Sequence, residues 1–157
     1  MSFSVKPTTL KEKPLIHALL QPYLDELSNF PGETIDYKDA SGVYHYPYLD
    51  AYWQEDVRFP YLLYSGKKLA GFALVRKEED HYEIAEYYVK PEFRRFGLGR
   101  TCATTLLKRH PGAWRIEFNH HNLSSRNLWK KLAERFARGE ITEGKMEGSH
   151  EFVQFSF

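Results

Sequence analysis

The stretch Glu83–Arg100, E-I-A-E-Y-Y-V-K-P-E-F-R-R-F-G-L-G-R, leaves the chain few ways to fold. An apolar, aromatic-rich run reads as a strand, Pro91 closes it, and a basic loop with two glycines opens into a helix patterned for burial on one side. The first N–H groups of a helix have no partner within it and sit at the positive end of its dipole. Gly97 and Gly99 put no side chain in the way of an anion there, and Arg94, Arg95 and Arg100 supply matching charge. Two common phosphate loops fail on spacing. The Walker pattern requires G-x-x-x-x-G-K-[ST], and the dinucleotide pattern requires a third glycine where Cys102 stands. What remains is a pyrophosphate site of another kind.

The flanking sequence supplies a sheet and its covering helices. From Thr9 to Leu27, apolar residues recur at helical spacing, while Pro14 and Pro22 predict two short helices or a kinked pair. Tyr61–Tyr64, Leu69–Val75 and the run ending at Val89 read as an antiparallel meander with a tight turn at Ser65–Lys68. The helix from about Leu98 to Arg109 carries Leu98, Cys102, Ala103, Leu106 and Leu107 on one side. Trp114–Asn119 follows as a strand, and the intervening length suffices for a right-handed crossover that makes it parallel to the Glu83–Val89 strand. A helix over roughly Ser124–Phe136 and a closing hairpin around Glu147-Gly148-Ser149 complete the order. The expected fold class is α/β (α+β), a mostly antiparallel mixed sheet flanked by helices with one parallel crossover pair.

Asn29–Phe59 is rich in turn formers and in aromatic residues, including Tyr44, Tyr46, Tyr48, Tyr52 and Trp53. Interleaved with Asp36, Asp39, Asp50, Glu55 and Asp56, these rings suit a pocket for a cationic or amine substrate. The same composition also suits a loop layer that covers the sheet.

Length and charge narrow the function. At 157 residues the chain fits one domain over 1–157. A net charge of +1 argues against general nucleic-acid binding, because the arginines near the glycines are a local feature. The single cysteine, Cys102, excludes an internal disulfide and a thiolate zinc site, and its place on the apolar helix side predicts an inert buried thiol. His120-His121 lacks a second ligand cluster, so no metal is expected. No leader and no apolar run of about 20 residues is visible, which predicts a cytoplasmic protein without a membrane partner.

Arg94-Arg95-Phe96-Gly97-Leu98-Gly99 resembles the [QR]-x-x-G-x-[GA] acyl-CoA loop of the GNAT N-acetyltransferases, and Val89-Lys90-Pro91-Glu92-Phe93 resembles the V-x-P-x-[YF] lead-in of their bacterial members. The order of elements is similar to that family over nearly the whole chain, and Asn29–Phe59 matches least. The resemblance implies an N-acetyltransferase with acetyl-CoA as cosubstrate and a small-molecule or peptide amine as acceptor, acting by direct attack in a ternary complex, as a monomer or homodimer. It implies that Arg94, Arg95, Phe96, Gly97, Leu98, Gly99 and Arg100 hold the pyrophosphate. It also implies that the strand before the loop splays from its parallel neighbour, so that pantetheine docks at Tyr88 and Val89. The second family motif, N-x-x-A-x-x-x-Y, reads here Asn122-Leu123-Ser124-Ser125-Arg126-Asn127-Leu128-Trp129. Ser125 replaces alanine, and Trp129 replaces the tyrosine that often protonates the departing thiolate. Asn122 reads equally well as a helix cap, and the helical spacing of Trp129 favours a core residue. An indole donates a hydrogen bond but has no accessible acid function, so a non-catalytic acyl-CoA-binding module is a rival to the enzyme, and a phosphate-binding domain unrelated to CoA is a third possibility.

For the base, the resemblance points to Glu86, the acidic residue that bacterial members place facing the cleft. Glu83 is its rival, standing eleven residues before Arg94 like the glutamate of the histone-acetylating members. Their odd separation puts the two on opposite faces of a regular strand unless a bulge intervenes.

Overall fold

The computed structural model describes residues 2–157. Seven strands form one sheet in the order β1-β2-β3-β4-β5-β7-β6: β1 (Phe3–Pro7), β2 (Arg58–Ser65), β3 (Lys68–Lys77), β4 (Tyr82–Val89), β5 (Ala113–Asn119), β6 (Thr142–Lys145) and β7 (His150–Ser156). All neighbouring pairs are antiparallel except β4 with β5. Three α-helices cover it: α1 (Lys13–Leu27), α2 (Leu98–Arg109) and α3 (Leu123–Phe136). The expected mixed sheet with one parallel crossover pair is what the chain forms.

Alternation along the strands divides the core in two. Tyr61, Leu63, Ala73 and Val75 face α2 and α3, where Leu98, Cys102, Leu106 and Leu107 meet Trp129, Leu132, Trp114 and Phe118. Leu62, Phe72, Leu74 and Tyr88 face the other way, onto Ile16, Leu19, Leu20, Tyr23 and Leu24 of α1. Tyr44, Leu49 and Tyr52 extend this second layer, so much of the aromatic loop covers the sheet. Cys102 is 1% exposed, and burial pushes its thiol up to about 11, which fits the inert reading.

Two features depart from the sequence-based expectation. The sequence pattern does not predict β1, and α1 runs unbroken through Pro22 after a single 3-10 turn at Leu10–Glu12. A helix-interior proline costs about 3 kcal/mol. Tyr23 and Leu24, buried immediately after it, offset that at about 1.5–3 kcal/mol for each large apolar side chain. No helix of the described residues is long and apolar enough to cross a membrane.

Candidate active site

The site begins where the sheet opens. β4 and β5 pair at Tyr82↔Trp114 alone, and beyond that point the two parallel strands run on without a ladder between them. On the α1 side of the opening lies a cavity of about 250 Å³ whose walls include Glu33, Tyr37, Arg76, Glu83, Glu86, Glu117 and Trp129. A second cavity of about 520 Å³ continues along Glu26, Tyr88, Val89, Arg94, Arg95, Gly97, Gly99 and Arg100. The two share Tyr23, Leu27, Tyr87, Asn122 and Ser125, so they form one groove with a junction at Tyr87.

The glycine loop turns as its composition requires. Gly97 is the N-cap of α2 with φ +85°, and Arg95 also adopts a positive φ of 68°. Thr101 N–H closes the first turn on the Gly97 carbonyl at 3.0 Å, which leaves Leu98, Gly99 and Arg100 as the residues whose N–H groups have no carbonyl one turn back. The Tyr87 hydroxyl donates to the Gly99 carbonyl at 2.5 Å and ties this turn to β4. Arg95 and Arg100 are exposed at the groove. Arg94 is a brace: its Nε donates to the Val89 carbonyl and its Nη2 to Glu26 Oε2, each at 2.8 Å, with the guanidinium over the Tyr88 ring. Leu98 is buried in the core, and the 61%-exposed Phe96 side chain is not part of the groove wall. Through their side chains these two therefore add nothing to the lining.

Glu83 and Glu86 line the same cavity, against the simple alternation rule. A bulge is the reason: Leu74 pairs with Glu86 and Val75 with Ile84, so Ala85 is the extra residue on β4 and shifts the pleat between the two carboxylates. Glu83 is held by Arg76 Nη2 at 3.1 Å and by His81 Nε2 at 3.1 Å. Among the described residues Glu86 has no cationic partner in contact. Its two oxygens accept one hydrogen bond each, from the hydroxyls of Tyr23 and Tyr46, both at 2.7 Å. Burial raises the Glu86 pKa, and the phenols and the Arg76 charge counter this in part.

A family model for the acetyltransferase (GNAT) family matches residues 22–133, a span that takes in the end of α1, the meander, the glycine loop, β5 and most of α3. The chain belongs to the GNAT acetyltransferase family.

Solved structures agree at the level of fold. An acetyltransferase from Thermus thermophilus is 16% identical with a TM-score of 0.69, covering 98% of this chain and 96% of that one. YncA, a putative acetyltransferase from Salmonella typhimurium solved with acetyl-CoA, is 15% identical with a TM-score of 0.68, covering 99% and 94%. The ribosomal-protein-S18-alanine N-acetyltransferase from Escherichia coli is 16% identical with a TM-score of 0.62, covering 98% and 91%. No curated protein matches the chain significantly.

Within this GNAT chain the second motif lies at the junction of the two cavities. Asn122 caps α3, its Oδ1 accepting from Ser125 N–H at 3.2 Å, and both residues line both cavities. Trp129 is 2% exposed, packs edge-to-face on Tyr87 at 5.2 Å, and still forms part of the cavity wall, so core and site readings both describe it. Of the loop carboxylates expected to face a substrate, none lines the cavity, and three are engaged elsewhere. Asp39 organises its own turn with Ser41 and Val43, Asp50 pairs with Lys13, and Glu55 pairs with Arg58. The acids of the cavity are instead Glu33, Glu83, Glu86 and Glu117. Glu33 is fixed by Asn119 Nδ2 at 3.1 Å and His150 Nε2 at 3.0 Å. Tyr23, Glu33, Arg76 and Tyr87 carry no local sequence signal for this site, because residues distant in the chain bring them together. His120 bonds Glu151 through Nδ1 at 2.6 Å.

Proposed function

We propose that the protein transfers the acetyl group of acetyl-CoA to a primary amine by direct attack in a ternary complex, with Glu86 as the base. The observation that carries this is the half-buried Glu86 carboxylate, held by two phenols, in a cleft continuous with the groove at the start of α2. The groove suits the cosubstrate. Pyrophosphate would meet the N–H groups of Leu98, Gly99 and Arg100 with the charges of Arg95 and Arg100, and the direction in which Gly97 would carry a Cβ is open. Pantetheine would lie along the unladdered side of β4 at Tyr88 and Val89, near Asn122 and Ser125.

Bound acetyl-CoA supplies an activated acyl carbon. Glu86 takes a proton from the bound ammonium and so frees the nitrogen lone pair; the C–N bond then forms as the C–S bond breaks, the second proton of the attacking nitrogen leaves to water, and burial brings the basicity of Glu86 toward the range this transfer needs. The departing thiolate is protonated by water, because Trp129 offers an N–H that can hydrogen-bond but not ionise. Glu33, Glu83, Glu86 and Glu117, against Arg76, favour an acceptor that arrives as a cation over one that carries a carboxylate. The name of the Escherichia coli neighbour, which specifies a protein alanine, supports keeping peptide amines among the candidates.

The test is thiol release from acetyl-CoA with alkyl monoamines, diamines, a peptide with a free N-terminus, and amino acids as anionic counterparts. The proposal expects turnover with a cationic amine and less with the anionic ones. Tight acetyl-CoA binding without transfer to any amine would favour the second reading, a CoA-binding module, which the indole at the tyrosine position supports. Absence of CoA binding overturns both.

A further inference from the structure

We infer that Tyr23 and Tyr46 are positioning residues that clamp the Glu86 carboxylate from two separate elements and hold it in its ionised form, with Tyr46 tying the base to the acceptor-side loop. The inference rests on the reading of Glu86 as the base. Each phenol takes a different oxygen, Tyr23 to Oε1 and Tyr46 to Oε2, both at 2.7 Å. A carboxylate oxygen has two acceptor sites, so each keeps one for an incoming amine. Two donors from two directions also fix the plane of the carboxylate, as a base that must meet a substrate proton requires.

The two clamps differ in their support. Tyr23 is set in α1, 9% exposed, edge-on to Phe72 at 5.4 Å and beside Tyr88 at 5.5 Å. Tyr46 comes from the irregular segment before β2, where local structure alone would not hold it. Its anchor is Tyr44, two residues earlier and 4% exposed. Gln21 of α1 donates through Nε2 to the Tyr44 carbonyl at 2.9 Å and accepts from the Tyr44 N–H through Oε1 at 2.8 Å, pairing as a strand neighbour would. The Tyr44 hydroxyl donates to Asp25 Oδ1 at 2.7 Å, one further turn along α1. The acceptor-side loop is thus pinned to the same helix that carries the other clamp.

The charges around Glu86 show why a clamp is needed. Burial and Glu33 from the loop favour its protonated form, and Glu83 on β4 and Glu117 on β5 add negative charge to the same cavity. Opposing them are the two phenols and Arg76 on β3, whose guanidinium is bonded to Glu83. Tyr37, also facing the cavity, makes no hydrogen bond to the carboxylate among the described residues. Burial, followed by the Glu86 charge, raises the pKa of both clamping phenols, so they remain protonated and able to donate.

The experiment uses the full chain with Tyr23→Phe, Tyr46→Phe and Gln21→Ala, each checked for an unchanged melting temperature or corrected for it. The Glu86 carboxyl is titrated in the free protein by infrared difference against Glu86→Gln. Each phenylalanine variant is expected to move the midpoint upward by about one pH unit, the scale of one charge-assisted hydrogen bond. Gln21→Ala is expected to move it upward in the parent but not in Tyr46→Phe, since both act through the same contact. In kcat/KM, the ratio of each variant to the parent should fall at low pH and recover at high pH; ionisation of the amine is common to both and cancels. If Glu86→Gln inactivates the enzyme while the phenylalanine variants leave both midpoint and pH ratio unmoved, the clamp is wrong and the base reading stands. If Glu86→Gln remains active, the base reading falls, and the infrared midpoints still decide whether the phenols hold the carboxylate. Upward shifts for the phenylalanine variants with none for Gln21→Ala would overturn the tie to the loop.

Discussion

Gly97→Asp separates the charge of the cradle from its shape. Gly97 has φ +85°, and a Cβ built there meets nothing within 4 Å, so any side chain carries conformational strain but no clash. Asparagine tolerates the left-handed region best among non-glycine residues, which makes Gly97→Asn a control of nearly equal shape. The aspartate adds one negative charge facing the pyrophosphate. For two phosphate charges at roughly 6 Å and an effective dielectric of about 40, the repulsion is about 3 kcal/mol. That corresponds to roughly 100-fold in affinity between the two variants. The fold should not suffer, because a carboxylate at a helix N-terminus is favourable by about 0.3–1 kcal/mol. Calorimetry with CoA on both variants, at low and raised salt, reads the ratio, and added salt should narrow it. Equal CoA affinity of the aspartate and asparagine variants at low salt, with both folded, would refute the placement of pyrophosphate at this turn.

Two further substitutions test the frame around the site. A Cβ at Gly71 would lie 1.9 Å from the Tyr88 carbonyl oxygen and 3.0 Å from its carbon, backbone atoms that cannot give way cheaply. Gly71→Ala should therefore push β4 from β3 beside the groove, destabilising by about 1–3 kcal/mol in denaturant unfolding and weakening CoA binding. His110 is buried, bonds the Tyr61 hydroxyl through Nε2 at 2.6 Å, and has a pKa lowered by burial and then by Arg109. The unfolded chain takes up this proton below about pH 6.5 while the folded one resists, so the stabilisation is present above that pH and lost as pH falls toward the folded value. His110→Gln should flatten stability against pH over that window. His81 acts in the opposite sense, since Asp80 and Glu83 raise its pKa despite burial, but it is common to both proteins and cancels in the difference.

What the sequence reveals is what local chemistry encodes. The strand, glycine turn and helix at Glu83–Arg109 are specified by residues adjacent in the chain, as are the meander turn at Gly66 and the closing hairpin at Gly148. β1 is invisible locally because its partner lies far along the chain: Phe3 pairs with Ser65 and Pro7 with Tyr61. The continuity of α1 through Pro22 is set by the layer it packs against, not by helix propensity. Within the site, Glu86 was reachable from the family pattern, but its clamp was not. Tyr23 reads as one more core position of an amphipathic helix, and Tyr46 as one of several loop aromatics. The bulge at Ala85 left no trace in the spacing that would have put Glu83 and Glu86 on one face.

The central claim is that Glu86 takes the proton from the acceptor amine in this cleft. The most direct measurement compares kcat/KM for an amine at neutral pH, and the CoA dissociation constant, among the parent, Glu86→Gln and Glu83→Gln. The account predicts that Glu86→Gln loses on the order of 10²-fold in kcat/KM with CoA affinity unchanged, while Glu83→Gln changes little. A Glu86→Gln protein that acetylates the amine at the parent rate, or a loss confined to Glu83→Gln, would contradict it.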